Sequence, residues 1–325
     1  MHAAMHAAMN AALLDAVRTL RWPARRRVGG VLPGAHPARL RGASGEFSEF
    51  RAYRQGDDPR RLDWRLLARS DRAYVRLADD HALLTTVIVV DASASMAFPD
   101  ADLVAGDPAR VHAKWRAACA VAVGLAAVAH GAGDPVGLVV AGGTGGRTLP
   151  PRSRRGVVGE LIAALDGVTP GDAVPLAPLV ARAPAAARLV IVSDFLGADA
   201  DALRRAAGGH AGAGGDVHAV HVVAAEELAP PRSLALAVDP EDARLRRPLD
   251  DAEARAAYAR RFAAWRAELA RGWRRVGATY TLARADEPPA RLVRRVVRGE
   301  RSADESALDA APERTPERTP ERTPE

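Results

Sequence analysis

The chain has 325 residues, 48% of them hydrophobic but only 4% aromatic, so its core has to be built largely from Ala, Val and Leu. Its net charge is +6, and of 46 basic residues Lys114 alone is a lysine; the arginines are spread along the whole chain, which argues for a composition bias and against a one-sided nucleic-acid or membrane patch. The single cysteine, Cys119, excludes an internal disulfide framework and a cysteine metal site, no apolar run reaches the roughly 18 residues of a membrane span, and the start lacks a signal-peptide pattern. A cytoplasmic protein is the expectation.

Taken in order, residues 1–20 read as an Ala-rich helical extension, with Met1-His-Ala-Ala-Met-His-Ala-Ala as a ragged start. Residues 21–83 form an Arg-rich subdomain. Between 51 and 76 it holds eight arginines, with Asp57, Asp58, Asp63 and Asp71 among them. Mixed signs at such close spacing favour internal ion pairs that fix one packing. Gly56-Asp-Asp-Pro59 has the residue types of a turn, and Asp63 is placed to cap or to pair with an arginine. The functional reading of the same stretch is a docking surface for an acidic partner. Arg54, Asp57, Asp58, Asp63, Trp64 and Arg65 would form it, with Tyr53 and Trp64 as aromatic anchors. A strand is expected at Ala73–Leu77.

From residue 84 to 300 strands alternate with helices. Short β-branched runs predict strands at Thr86–Asp91, Val136–Ala141, Leu189–Ser193, Val217–Val223 and Ala278–Leu282. Helical spacing predicts helices over Pro108–His130, Gly156–Leu165, Asp201–Ala211, Glu253–Val276 and near Leu292–Val297. In Glu253–Val276 the expected buried stripe is Tyr258, Phe262, Trp265, Leu269 and Val276. This alternation defines an α/β fold, doubly wound, with a mainly parallel sheet covered by helices on both faces. Residues 301–325 end in Pro-Glu-Arg-Thr repeats without apolar side chains, and a disordered tail is expected there.

The chemistry concentrates where two of these strands end. Val87-Ile-Val-Val-Asp-Ala-Ser-Ala-Ser-Met96 is an apolar strand closed by Asp91, with hydroxyls at Ser93 and Ser95. Leu189-Val-Ile-Val-Ser-Asp194 is a second, and an adjacent strand would carry Asp194 to the same edge as Asp91. Open α/β sheets bind ligands at the carboxyl ends of their strands. Two carboxylates and two hydroxyls are hard oxygen ligands suited to Mg²⁺ or Mn²⁺. Plain capping of a strand-to-helix turn by Asp and Ser is the structural alternative.

The D-x-S-x-S run of Asp91, Ser93 and Ser95 resembles the metal-ion-dependent adhesion site of von Willebrand factor A-type domains. More distinctive is Tyr53-Arg-Gln-Gly-Asp-Asp-Pro-Arg-Arg-Leu-Asp-Trp-Arg65, followed by Ala68-Arg and Tyr74-Val. Together with Asp91–Met96 and Val192-Ser-Asp-Phe195, it makes residues 25–300 resemble the domain of unknown function 58 family. That resemblance implies a von Willebrand factor A-like domain over 84–300 and metal ligation by Asp91, Ser93, Ser95 and Asp194. It also implies a non-enzymatic role as adaptor or co-chaperone of a MoxR-type AAA+ ATPase acting on client proteins. One departure stands out. The stretch that in related domains supplies a threonine ligand is here Gly171-Asp-Ala-Val-Pro-Leu176; Thr169 precedes it, and Asp172 or a water would have to substitute.

Other chemistries are set aside. Gly142-Gly-Thr-Gly-Gly-Arg-Thr148 lacks the order and lysine of a phosphate loop and reads as a turn between strands. No nucleophile elbow or zinc spacing occurs among the nine histidines, and His218 and His221 read as packed residues. A metal-dependent hydrolase or nuclease using the same sheet edge, or a scaffold whose metal site is inactive, remain the alternatives to an interaction module.

Overall fold

The computed structural model of the chain describes residues 2–25, 33–37, 46–55, 62–70, 72–79, 81–104, 107, 110–197, 199–232, 236–238, 244, 246–249 and 251–302. The Gly56–Pro59 turn and the Pro-Glu-Arg-Thr repeats therefore lie outside the described residues. In chain order the elements are α1 (His2–Val17), β1 (Pro33–Pro37), β2 (Glu46–Ala52), α2 (Trp64–Ser70), β3 (Tyr74–Asp79), β4 (His81–Ala82) and β5 (Thr86–Asp91). A 3₁₀ turn (Ala94–Ala97), α3 (Ala113–Gly131), β6 (Val136–Ala141), β7 (Thr148–Arg152), α4 (Val157–Asp166), α5 (Ala177–Ala181) and β8 (Arg188–Ser193) follow. The remainder is α6 (Ala200–Gly212), β9 (Asp216–Val223), α7 (Ala225–Leu228), β10 (Leu236–Val238), β11 (Arg246–Pro248), α8 (Ala252–Arg275), β12 (Thr279–Arg284) and α9 (Pro289–Arg298).

Six strands form one sheet in the order β12-β9-β8-β5-β6-β7. The five strands expected from β-branched runs are its five parallel members. The sixth, β7, runs antiparallel at the edge beside β6. Its sequence, Thr148-Leu-Pro-Pro-Arg152, does not look like a strand, because proline cannot donate to a ladder; an edge is where that is tolerated. The protein is thus a mixed α/β structure with a mostly parallel six-stranded sheet.

Burial on both faces follows from the apolar runs. Val87 and Val89 of β5 face a core completed by Leu189 and Ile191 of β8, Leu203 of α6, and Leu269 and Trp273 of α8. Ile88 and Val90 face a second core with Leu138 of β6, Leu161 of α4, Leu292 and Val296 of α9, and the Ala-rich α3. Alternate residues of one strand therefore stabilise two layers. The expected α8 stripe is corrected in one respect. Leu269 is buried, but the largest buried side chain is Trp273, 1% exposed; Tyr258, Phe262 and Trp265 are half-buried and stack in series against one another, and Val276, just past the helix end, is half-buried as well.

The N-terminal helix is part of this packing. Leu13 and Val17 of α1 and the following Trp22 join the core of α3 and α9. Arg188, at the start of β8, is fully buried; its Nη2 donates to the carbonyls of Trp22 (3.0 Å) and Pro23 (3.1 Å), and its guanidinium lies 4.1 Å from the Trp22 ring centre. In the Arg-rich region β2 and β3 pair antiparallel. Asp63 caps α2, its Oδ1 accepting from Leu66 N at 2.8 Å.

Candidate functional site at the carboxyl edge of the sheet

β5 lies between β6 and β8 although β6 follows it directly in the chain, so the chain reverses its direction of winding at β5. This is the position where doubly wound sheets open a crevice at their carboxyl ends. Asp91 closes β5 there, and Asp194 follows the last residue of β8. The 3₁₀ turn after β5 carries Ser95, with Ser93 just before it. All four residues are buried, between 2% and 7% exposed. Asp91, Ser93, Ser95 and Asp194 thus gather at one edge.

Their hydrogen bonds form a connected set. Ser193 Oγ donates to Asp91 Oδ2 at 2.6 Å, and Ser93 N donates to Asp91 Oδ1 at 2.9 Å. The hydroxyls of Ser93 and Ser95 are 3.1 Å apart. Ser193 Oγ accepts from Phe195 N at 2.8 Å, and Asp194 Oδ1 accepts from Leu196 N at 3.2 Å. Burial, and after it the charge of Asp194, pushes the Asp91 carboxyl up to about 6, against the bonds from Ser193 and Ser93.

The Gly171–Leu176 loop, which lacks a threonine, reaches this place. Gly171 forms a parallel bridge with Ser93, and its N–H donates to Ala92 O at 2.9 Å. Thr169 and Asp172 are both exposed. Their carbonyls are used, accepting from Thr144 N at 2.9 Å and Gly143 N at 3.1 Å. The Gly142–Arg147 stretch is indeed a turn between β6 and β7. It needs glycine because the loops touch through their backbones: a Cβ on Gly142, at φ +90°, would stand 2.5 Å from Asp172 O.

Sequence reasoning missed Lys114 and Glu227. Lys114, on the first turn of α3, is 0% exposed. Its Nζ donates to Asp194 Oδ2 at 2.6 Å and to Glu227 Oε1 at 2.9 Å. Burial works against its charge, but the two carboxylates prevail and hold its pKa above the ordinary lysine value. Burial likewise works to raise the pKa of Asp194, and the Lys114 ammonium more than offsets it, keeping that carboxyl below its usual range. For Glu227 burial wins and the pKa is raised. The sequence signal for Lys114 is that it is the one lysine in a chain whose other Lys/Arg positions, 45 of 46, are all arginine.

Of the four expected ligands, Asp91, Ser93 and Ser95 fit a small hard cation in one respect that can be measured, while Asp194 Oδ2 is taken by Lys114. An octahedral Mg²⁺ shell at about 2.1 Å sets neighbouring ligand oxygens about 3 Å apart. The Ser93–Ser95 separation matches such an edge. Asp91 Oδ1 accepts from Ser93 N and Oδ2 from Ser193 Oγ, and the Ser93 side chain also bonds this carboxylate, which leaves part of its roughly four lone-pair sites for an ion. Among the described residues no group of three or more His, Cys, Asp or Glu side chains surrounds a metal position, so an ion here depends on hydroxyl ligands.

The expected docking residues lie elsewhere. Arg54, Trp64 and Arg65 are exposed, Trp64 at 64%. Asp63 is half-buried and serves as the α2 cap. Asp57 and Asp58 lie outside the described residues. His218 and His221 are both buried, and His221 Nδ1 lies 2.6 Å from Tyr280 Oη.

The fold and this edge define a doubly wound α/β protein with an acidic, hydroxyl-lined strand terminus. Residues 49–268 match the family described as Protein of unknown function DUF58, and the chain belongs to that family. It is 31% identical over 205 residues to Uncharacterized protein Rv1480 of Mycobacterium tuberculosis, and equally to Uncharacterized protein Mb1516 of Mycobacterium bovis. Each match covers 57% of this chain and 58% of the relative, so the chain spans little more than half the length of the curated relatives it matches. Among solved structures it is similar to BatB from Bacteroides thetaiotaomicron, with 16% identity and a TM-score of 0.38 over 70% of this chain and 100% of that one. An aerotolerance-related membrane protein from Bacteroides fragilis gives 16% identity and a TM-score of 0.37, over 66% and 98%. No helix among the described residues is long and apolar enough to cross a membrane.

Proposed function

We propose that this chain is a non-enzymatic interaction module of the von Willebrand factor A-like kind, an adaptor for a MoxR-type AAA+ ATPase. Its docking edge is the carboxyl end of β5 and β8. The observation that carries the reading is the convergence of Asp91, Ser93, Ser95 and Asp194 at the point where the sheet reverses its winding. Asp91 and the Ser93 and Ser95 hydroxyls would hold Mg²⁺ or Mn²⁺. The ion would supply a positive charge that a partner carboxylate completes.

The chain's own residues prepare that edge. Ser193 and the Ser93 N–H fix the Asp91 carboxylate, and the Gly171 bridge holds the neighbouring loop against Ser93. A binding role takes support over a hydrolytic one from the state of the histidine that feels the Asp194 charge. His221 is 1% exposed and packs at 5.7 Å against the Phe195 ring; burial drives its pKa down to about 3. It is neutral, buried and paired through Nδ1 with Tyr280 Oη. The choice of ATPase as partner rests on the family resemblance of the Tyr53–Arg65 and Asp91–Met96 runs.

The test is binding of a purified MoxR-type ATPase from the same organism, measured with Mg²⁺ and with chelator, for the wild type and Asp91→Ala. Binding by the wild type in Mg²⁺ alone is the expected result. Equal binding in all four conditions would move the docking surface to the exposed Trp64 face. No binding in any condition would remove the adaptor reading.

A further inference from the structure

A buried lysine is costly unless its charge is met, and the chain places its one lysine at the edge just described. Lys114 reaches between two carboxylates from different strand ends, Asp194 after β8 and Glu227 after β9. An ammonium is a compact point charge with three donors, whereas a guanidinium is broad and planar, so arginine would not take the same place. Glu227 is itself fixed, its Oε2 accepting from Ala224 N at 2.7 Å. Its neighbour Glu226 pairs with Arg110, just ahead of α3. The short helix α7 therefore holds the start of α3 and the segment ahead of it by two ion pairs, and Lys114 bridges Glu227 of that helix to Asp194.

We propose that Lys114 determines the specificity of this edge: it is the tethered cation of Asp194, and it withdraws that carboxylate from a divalent ion, which is left to Asp91, Ser93 and Ser95. This rests on the metal reading of the edge and sharpens it. A site with one anionic ligand holds a divalent ion weakly until a partner supplies the second carboxylate. That makes ion binding and partner binding a single event.

The experiment measures Mn²⁺ affinity by electron paramagnetic resonance on the full chain, with folding checked by circular dichroism. Lys114→Met/Glu227→Gln removes the ammonium and one carboxylate together, so the trio keeps its net charge while Asp194 is freed. It is expected to bind Mn²⁺ at least about tenfold more tightly than the wild type. Asp194→Asn and Glu227→Gln change the charge equally, and Asp194→Asn is expected to lose no more than about threefold relative to Glu227→Gln. This second pair retains the buried lysine and decides the matter if the double variant does not fold. Unchanged affinity in a folded double variant, or an Asp194→Asn loss about tenfold beyond Glu227→Gln, overturns the proposal. If the wild type binds through Asp91 while the double variant is no tighter, only the Lys114 role falls. If the double variant alone binds, that role stands and the metal-dependent reading of the native edge falls. If neither binds, both fall.

Discussion

Asp91 is held in a position that costs stability when it is ionised. Its folded pKa of about 6 lies above the ordinary 3.8, so between those values the folded state holds more protons than the unfolded state. Its contribution therefore declines as pH rises from about 4 to above 6, by up to about 3 kcal/mol. Asp91→Asn is expected to be no more stable than wild type at pH 4.5 and more stable at pH 7.5. Urea unfolding at both pH values checks this, and an equal difference at both would refute it. Lys114 is the opposite case. Removing it alone, as Lys114→Met, strands two carboxylates in the interior and is expected to cost about 3–5 kcal/mol at neutral pH. Asp91, Ser93, Ser95 and Asp194 were legible because strand endings mark a sheet edge. The Lys114 and Glu227 contacts were not, since they join residues 113 apart in the chain through helix placement that no local pattern encodes.

At the scale of elements, β5 and β6 have the bounds their β-branched runs predicted, and β8, β9 and β12 begin or end within two residues of them. Continuous apolar runs leave little freedom when both faces are buried. What escaped were pieces defined by their neighbours. β7 is a strand only because β6 offers it a ladder, and α7 is a single turn whose acidic residues are explained by Arg110 and Lys114. The turn between β6 and β7 bears on the site directly, since it packs against the loop that bridges to Ser93. Gly142→Ala is expected to cost about 1–3 kcal/mol, because it combines a positive φ with a clash against Asp172 O. Thermal unfolding measures the cost. Loss of the same ion or partner binding that Asp91→Ala abolishes would place the loop in the site.

For the whole molecule, the two cores on either side of the sheet share β5 and β8, and so are expected to unfold together. Residues 1–20 read in sequence as an Ala-rich helical extension, and α1 is that helix, but its part in the core was not expected. In the structure Leu13, Val17 and Trp22 are 4%, 1% and 3% exposed, and Arg188 holds the segment by its backbone. The sequence offered little warning, because an Ala-rich helix shows no pronounced apolar face; only its contacts with α3 and α9 reveal one. A chain lacking residues 1–22 is expected to unfold several degrees lower. It should also bind a hydrophobic dye in its native state, where the α3–α9 surface is uncovered. An unchanged melting temperature would show that α1 contributes no stability.

The two outer strands of the sheet differ in a way that bears on self-association. Pro150 and Pro151 deprive β7 of two backbone donors, so a second chain cannot readily extend the sheet at that side. Of the two edges of this six-stranded sheet, β12 is the one whose described residues keep every backbone donor. Two chains joined through β12 would form a closed pair with two-fold symmetry, since both free edges are then consumed. Head-to-tail growth would need β7 to accept β12, and the missing donors disfavour that step. Within the six-stranded sheet, the proline pair therefore disfavours head-to-tail addition of strands and favours two-fold pairing through β12.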